Sequence, residues 1–230
     1  MSDLVVVTGA LGALGTALCT RLEMAGYGLL MLDSSTQLPE TWPAALETQR
    51  CVLGVDLRDA AQAQAAISAA LEELGGAYAL VNLAGGFVWE TVADGRVDTW
   101  QQMFDANVKT AVNSIHAVLP HLKTRKRGRI VNVGANAALK PASGMGAYAA
   151  AKSGVHALTV SLADELKAHN IQVNAVLPGI LDTPANRCAM PDADAAQWVT
   201  PDSLCKVIAF LLSSGAADVT GACLPVTGRL

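Results

Sequence analysis

Short apolar runs alternate along the chain with longer stretches in which apolar residues recur every three or four positions. Short runs bounded by glycine, aspartate or asparagine have the length of buried strands, and the longer periodic stretches that of helices. Strands are predicted at "DLVVVTG", "GLLMLD", "CVLGVDL", "AYALVNLAG", "RIVNVGA", "IQVNAVLPG" and "ACLPVTG". Helices are predicted over 11–25, 59–74, 98–122, 145–169 and 201–213, with the third interrupted or ended near Pro120. Strands that alternate with helices make βαβ units. The predicted fold class is therefore α/β, with a parallel sheet covered by helices on both faces.

No break in composition and no internal repeat divides 1–230, so one domain is expected. The chain is 52% hydrophobic and 16% charged, enough to bury a large core. A net charge of −4 argues against nucleic acid and anionic membranes as partners. The one basic run, Lys123 to Arg129, reads as a solvated loop. Cys19, Cys51, Cys188, Cys205 and Cys223 form no C-x-x-C pair, so neither a zinc site nor a disulfide framework is implied. The apolar run in "MSDLVVVTGA" is too short for a span and lacks a basic flank, which predicts a cytoplasmic protein. Long irregular stretches fall near 34–49, 84–97 and 178–199, and such loops tend to carry function.

The first strand runs into "TGALGALG", which then opens a helix. Gly9, Gly12 and Gly15, with Leu14 between them, permit a tight turn and a close approach to a pyrophosphate at the helix N-terminus. Asp33 ends the second strand, where a carboxylate accepts both ribose hydroxyls of an adenosine and repels the extra phosphate of NADP. Neither "SSTQ" nor Ala10 and Leu11 supply a cation, so NAD (NADH) is the predicted cofactor. Asp56 and Leu57 follow the third strand, and Ala84 and Gly85 the fourth. Both pairs fall at the strand ends where dinucleotides bind.

Tyr148 and Lys152 stand one helical turn apart among alanines and glycines. Residues at i and i+4 share a helix face, and an ammonium beside a phenol is expected to lower the phenol's pKa. The ordered set "TGALGALG", "NLAG", "DANVKT", "GRIVNVGA", "YAAAK", "NAVLPG" and "LPVTG" resembles the short-chain dehydrogenase/reductase family over nearly the whole length. The resemblance implies a single-domain Rossmann-type doubly wound sheet. It also implies a nicotinamide cofactor and a homodimer or homotetramer built through the two long central helices. By position, Tyr148 matches the proton donor and Lys152 the residue that holds the nicotinamide ribose. Asn107 matches the residue that bends its helix to hold a water of a proton relay. Pro178, Gly179 and Thr183 match positions at the nicotinamide end.

One position departs. Thirteen residues before Tyr148, where the family usually has a carbonyl-polarising serine, stands Ala135. Losing one such donor costs roughly 2.7–4 kcal/mol of barrier. Three explanations follow: a substrate that needs less polarisation, a substitute donor such as Asn136 or Ser143, or NAD binding without catalysis. "GANAALKPASGMGAYAAAKSGVHAL" and "AVLPGILDTPANRCAMPDADAAQW" resemble the dihydropteridine reductase branch, which also lacks the serine. That resemblance implies NADH-dependent reduction of a quinonoid dihydropterin or another conjugated ring. Phe87, Trp89, Ala135, Met145 and Trp198 are the candidate substrate wall, and 180–199 the candidate lid. Arg187 reads as a solvated loop charge. His116, His121, His156 and His169 read as structural or exposed, and no metal is expected.

Overall fold

The computed structural model describes residues 3–229. Its elements are β1 (Leu4–Thr8), α1 (Ala13–Met24), β2 (Gly28–Leu32), β3 (Arg50–Val52), α2 (Ala60–Leu74), β4 (Ala79–Asn82), α3 (Val97–Phe104), α4 (Thr110–Arg125), β5 (Gly128–Val133), α5 (Gly146–Leu166), β6 (Ile171–Pro178), α6 (Pro184–Ala189), α7 (Pro201–Leu212) and β7 (Cys223–Val226). The seven strands form one sheet in the order β3-β2-β1-β4-β5-β6-β7, with every neighbouring pair parallel.

Successive strand side chains point to opposite faces, and the apolar run of β1 divides accordingly. Leu4 and Val6 join a core with Ile67 of α2, Leu122 of α4 and Leu166 of α5. Val5 and Val7 join a second core with Leu18 and Leu22 of α1 and Ile208 and Leu211 of α7. Each fully buried leucine contributes about 1.5–3 kcal/mol. Local chemistry sets the helix limits. Asp59 accepts from the Ala61 and Gln62 N–H groups to start α2, and Gly75, at φ 80°, ends it. Thr200 caps α7, with Pro201 at its first position.

The sequence predicts one helix over 98–122, but the structure has two. A π-helical turn, Asp105–Lys109, separates α3 from α4. Pro120 does not stop α4, which continues to Arg125. The buried anchors Ile115, Val118 and Leu122 outweigh the one hydrogen bond a proline removes.

The basic run is a solvated turn only at Lys126 and Arg127, which are exposed between α4 and β5. Lys123 and Arg125 lie in the last turn of α4, where the helix dipole favours cations. Arg129 is buried within β5, its guanidinium bonded to the Gly128 carbonyl and the Gln172 side chain. At the other end of the sheet, the Ala222 and Val226 carbonyls accept from Ala175 and Gly179 of the β6 side. Pro225, between them, therefore faces outward on an edge strand, a place that tolerates a missing N–H.

The 180–199 loop is tied at its stem. Leu181 and Val199 form a parallel bridge. The Asp182 N–H donates to Val199 O at 2.8 Å, and the Val199 N–H to Ile180 O at 2.9 Å. The loop carries α6 and a 3-10 turn, Ala195–Gln197.

Candidate active site

Strand order reverses between β1 and β4, and a cleft of about 670 Å³ opens at the carboxyl ends of these strands. Gly9, Gly12, Asp33, Asp56, Leu57, Ala84 and Gly85 all line it. Gly9 has φ +65°, and a Cβ there would stand 2.9 Å from the Ala84 nitrogen. Gly15 packs the loop on itself, since a Cβ would meet the Gly9 carbonyl at 2.3 Å. Leu14 does not line the cleft; it is half buried against the core beneath α1. The chain turns into α1 with no side-chain cap on Gly12, which leaves helix N–H groups facing the cleft rim.

Asp33 is fixed by its neighbours: Oδ2 accepts from the Leu11 N–H at 3.0 Å and Oδ1 from the Ser35 N–H at 3.0 Å. Each oxygen keeps a lone pair for a ribose hydroxyl. The glycine cradle, the uncapped helix and the fixed carboxylate together fit a dinucleotide.

The cleft stops short of Tyr148, and Gly85 links the two regions. A Cβ on Gly85 would stand 3.5 Å from Lys152 Nζ and 2.7 Å from Asn107 Oδ1. Asn107 sits in the π-helical turn. Its Nδ2 donates to Met103 O at 2.9 Å and to Gly86 O at 3.0 Å, and its Oδ1 accepts from the Gly86 N–H at 3.3 Å. The widened turn is thus pinned to the loop after β4.

Lys152 is buried, and its ammonium donates to the Val133 carbonyl at 2.7 Å. Burial lowers its pKa to about 8. The expected fall in the Tyr148 pKa does not occur here: burial pushes it up to about 12. The physical reason is that the ammonium turns to Val133 and lies 5.9 Å from the centre of the tyrosine ring.

Tyr148 packs against a small apolar cluster of Met103, Val108, Ala147, Ala151 and Val155. Phe87 meets its ring edge-on, with centroids 4.9 Å apart and planes at 90°. Ala135 is buried, with 4% of its surface exposed, and Met145 is half buried just before α5. The 84–97 loop closes against the turn before α5. The Glu90 N–H donates to Gly144 O at 2.8 Å, and the Trp89 ring fills the space a Gly144 side chain would need.

Of the two substitute donors, Asn136 is half buried in a 3-10 turn and Ser143 is exposed. Thr183 caps α6 by accepting from the Asn186 N–H. Trp198 is buried at the stem of the 180–199 loop, with 6% of its surface exposed. Arg187 is paired with Asp182 through Nε and Nη2.

Sequence reasoning missed several residues. Arg58 lines the cleft and grips Asp56 with two parallel hydrogen bonds of 2.9 Å, which hold that carboxyl below its ordinary pKa. Thr8 Oγ1 accepts from the Leu83 and Ala84 N–H groups, at 3.2 and 3.1 Å, and so ties β1 to the turn after β4. A buried row sets the register of α5 on the sheet. Asn82 Nδ2 donates to Asn132 Oδ1, and Asn132 Nδ2 to Thr159 Oγ1, each at 2.9 Å. His156 comes against the end of β5, where its Nε2 accepts from the Ala135 N–H at 3.3 Å. The signal for it was present in the sequence as a third member of the Tyr148–Lys152 spacing.

The family model described as short chain dehydrogenase matches residues 3–194. The acetoacetyl-CoA reductase of an Acinetobacter species is 31% identical, over 98% of this chain and 96% of the relative. The 2-(S)-hydroxypropyl-CoM dehydrogenase 3 of Xanthobacter autotrophicus is 30% identical, over 100% and 96%. The crystal structure of carveol dehydrogenase from Mycobacterium avium in complex with NAD superposes with a TM-score of 0.86 at 27% identity, covering 98% of this chain and 96% of that one.

Proposed function

The chain belongs to the short-chain dehydrogenase family, and on that premise we propose that this oxidoreductase uses NADH to reduce a flat conjugated ring of the quinonoid dihydropterin kind. The carrying observation is Ala135, thirteen residues before Tyr148. Ala135 is buried and carries no hydroxyl, and Phe87 meets the Tyr148 ring edge-on. A quinonoid ring is already electron-poor and regains conjugation on reduction, so it has little need of a polarising serine. The exposed edge of Phe87 beside Tyr148 favours a planar ring.

The cofactor supplies the hydride. In this reading Asp33 holds the adenosine ribose, Asp56 and Leu57 border the base, and Gly9, Gly12 and the start of α1 receive the pyrophosphate. Lys152 holds the second ribose, with Pro178, Gly179 and Thr183 at the nicotinamide end. Tyr148 keeps its proton at neutral pH and gives it to the substrate. The turn opened at Asn107 gives a water access to resupply that proton. Copies of the chain would meet through α4 and α5, whose Val112 and Val160 are exposed.

A second reading is favoured by the relatives: an acetoacetyl-CoA reductase among them acts on a carbonyl, and this chain would then reduce an ordinary ketone with Asn136 as donor. NADH oxidation measured in parallel with quinonoid dihydropterin, with simple ketones and with no substrate separates the two. Rapid turnover of the pterin alone supports the first reading; turnover of ketones alone overturns it.

A further inference from the structure

Three consecutive residues at the end of β5 are held from different sides. The Val133 carbonyl accepts from Lys152 at 2.7 Å, the Gly134 N–H donates to Val176 O of β6 at 2.9 Å, and the Ala135 N–H donates to His156 Nε2 at 3.3 Å. His156 lies four residues beyond Lys152 and eight beyond Tyr148, so the three share one stripe of α5. Gly134 makes the room. A Cβ there would stand 2.4 Å from His156 Nε2 and 2.5 Å from Leu177 Cδ2.

A ring nitrogen that accepts carries no proton, so this contact requires neutral His156 with its proton on Nδ1. Burial first, and the Lys152 charge second, hold the imidazole below its usual pKa. From its own helix the ionisable neighbour is Lys152; from the end of β5 it meets Gly134 and Ala135, which do not titrate.

We propose that His156 is a positioning residue: as a neutral acceptor it fixes Ala135, and through Ala135 the wall against which the substrate's reacting atom lies. The Ala135 carbonyl accepts from Ala138 at 3.1 Å and starts the turn that carries Asn136, so placing this peptide places the whole 135–138 segment. Protonated His156 would face the Ala135 N–H with a second donor and set a second cation near Lys152. The proposal rests on Tyr148 and Lys152 being the reacting pair, and not on the substrate being a pterin.

The test compares His156→Gln, whose Oε1 can replace Nε2 as acceptor, with His156→Leu, which has none. Each is assayed by NADH oxidation with whichever of quinonoid dihydropterin and a simple ketone the wild type reduces. His156→Leu should lower kcat by about 10–10²-fold, the scale of an ångström's misplacement, with KM for NADH within about twofold. His156→Gln should recover most of the loss and remove the acid limb of the kcat profile. Wild-type turnover in the leucine variant, or equal losses in both variants, overturns the role. Nitrogen NMR of the imidazole in the full-length protein reads the tautomer without any substrate. Unprotonated Nε2 supports the proposal and a protonated Nε2 overturns it, even if the wild type reduces neither compound and the substrate reading fails.

Discussion

Lys152 and Tyr148 share a face of α5, yet the ammonium lies 5.9 Å from the ring centre and is bonded to the end of β5. The lysine thus joins the phenol's helix to the sheet, and the two substitutions should separate by what they damage. Tyr148→Phe should leave NADH binding intact and lower turnover by about 10²–10⁴-fold. Lys152→Met should weaken both. Fluorescence titration of NADH alongside steady-state rates checks this, and unchanged turnover in both variants would remove the pair from the mechanism.

Lys152 also links stability to pH. Its pKa falls from 10.5 unfolded to about 8 folded. Below about pH 8 both states hold the proton and the buried ammonium destabilises the fold. Between about 8 and 10.5 the folded state releases a proton that the unfolded state keeps, so this contribution rises with pH by about 3 kcal/mol. Denaturant midpoints of wild type and Lys152→Met should therefore converge or cross across that window, with the wild type gaining. Tyr148, Cys19 and Cys205, all raised to about 12, titrate in both proteins and cancel in the comparison. A pH-independent difference would contradict the burial of a charge at this position.

Asp33 should set cofactor choice. The unmodified protein is expected to bind NADH more tightly than NADPH, and Asp33→Ala to weaken NADH and relax the preference. Arg58, the cation among the cleft-lining residues, is held by Asp56. Adding Arg58→Ala to Asp33→Ala should remove the NADPH affinity gained. Equal or tighter NADPH binding by the wild type refutes the assignment to Asp33.

Ala135→Ser restores the missing hydroxyl. Turnover of a quinonoid substrate should stay within a few fold, because that substrate does not need the donor. Weak activity on simple ketones should rise, up to the roughly 10²–10³-fold that one oxyanion donor supplies. Were the enzyme a ketone reductase using Asn136, the serine would add little and Asn136→Ala would be severe. Rates on both substrates for the three proteins decide between these outcomes.

The apolar runs showed all seven strands and the helices α1, α2, α5 and α7, because a fully buried parallel strand leaves a continuous apolar segment. The cleft residues Asp33, Asp56 and Gly85 were legible because strand ends in such a sheet converge. What escaped were contacts between distant segments. The π turn at Asn107 depends on Gly86, and the buried Arg129 on Gln172 of a neighbouring strand. Trp198 reads from the sequence as a pocket residue, and only the bridge of Leu181 with Val199 puts it at the stem of its loop. The unlowered phenol of Tyr148 depends on which way one lysine points, which spacing does not encode.

Pro225 bears on what can pair with the open edge of the sheet. An edge strand with every N–H free is a template for a strand from another molecule, and ladders of this sort seed aggregates. At Pro225 the outward row lacks a donor. A foreign strand approaching β7 meets a gap in the middle of its pairing and finds no continuous purchase. The residue that looks out of place in a strand thus breaks the one row of donors that the β7 edge would offer.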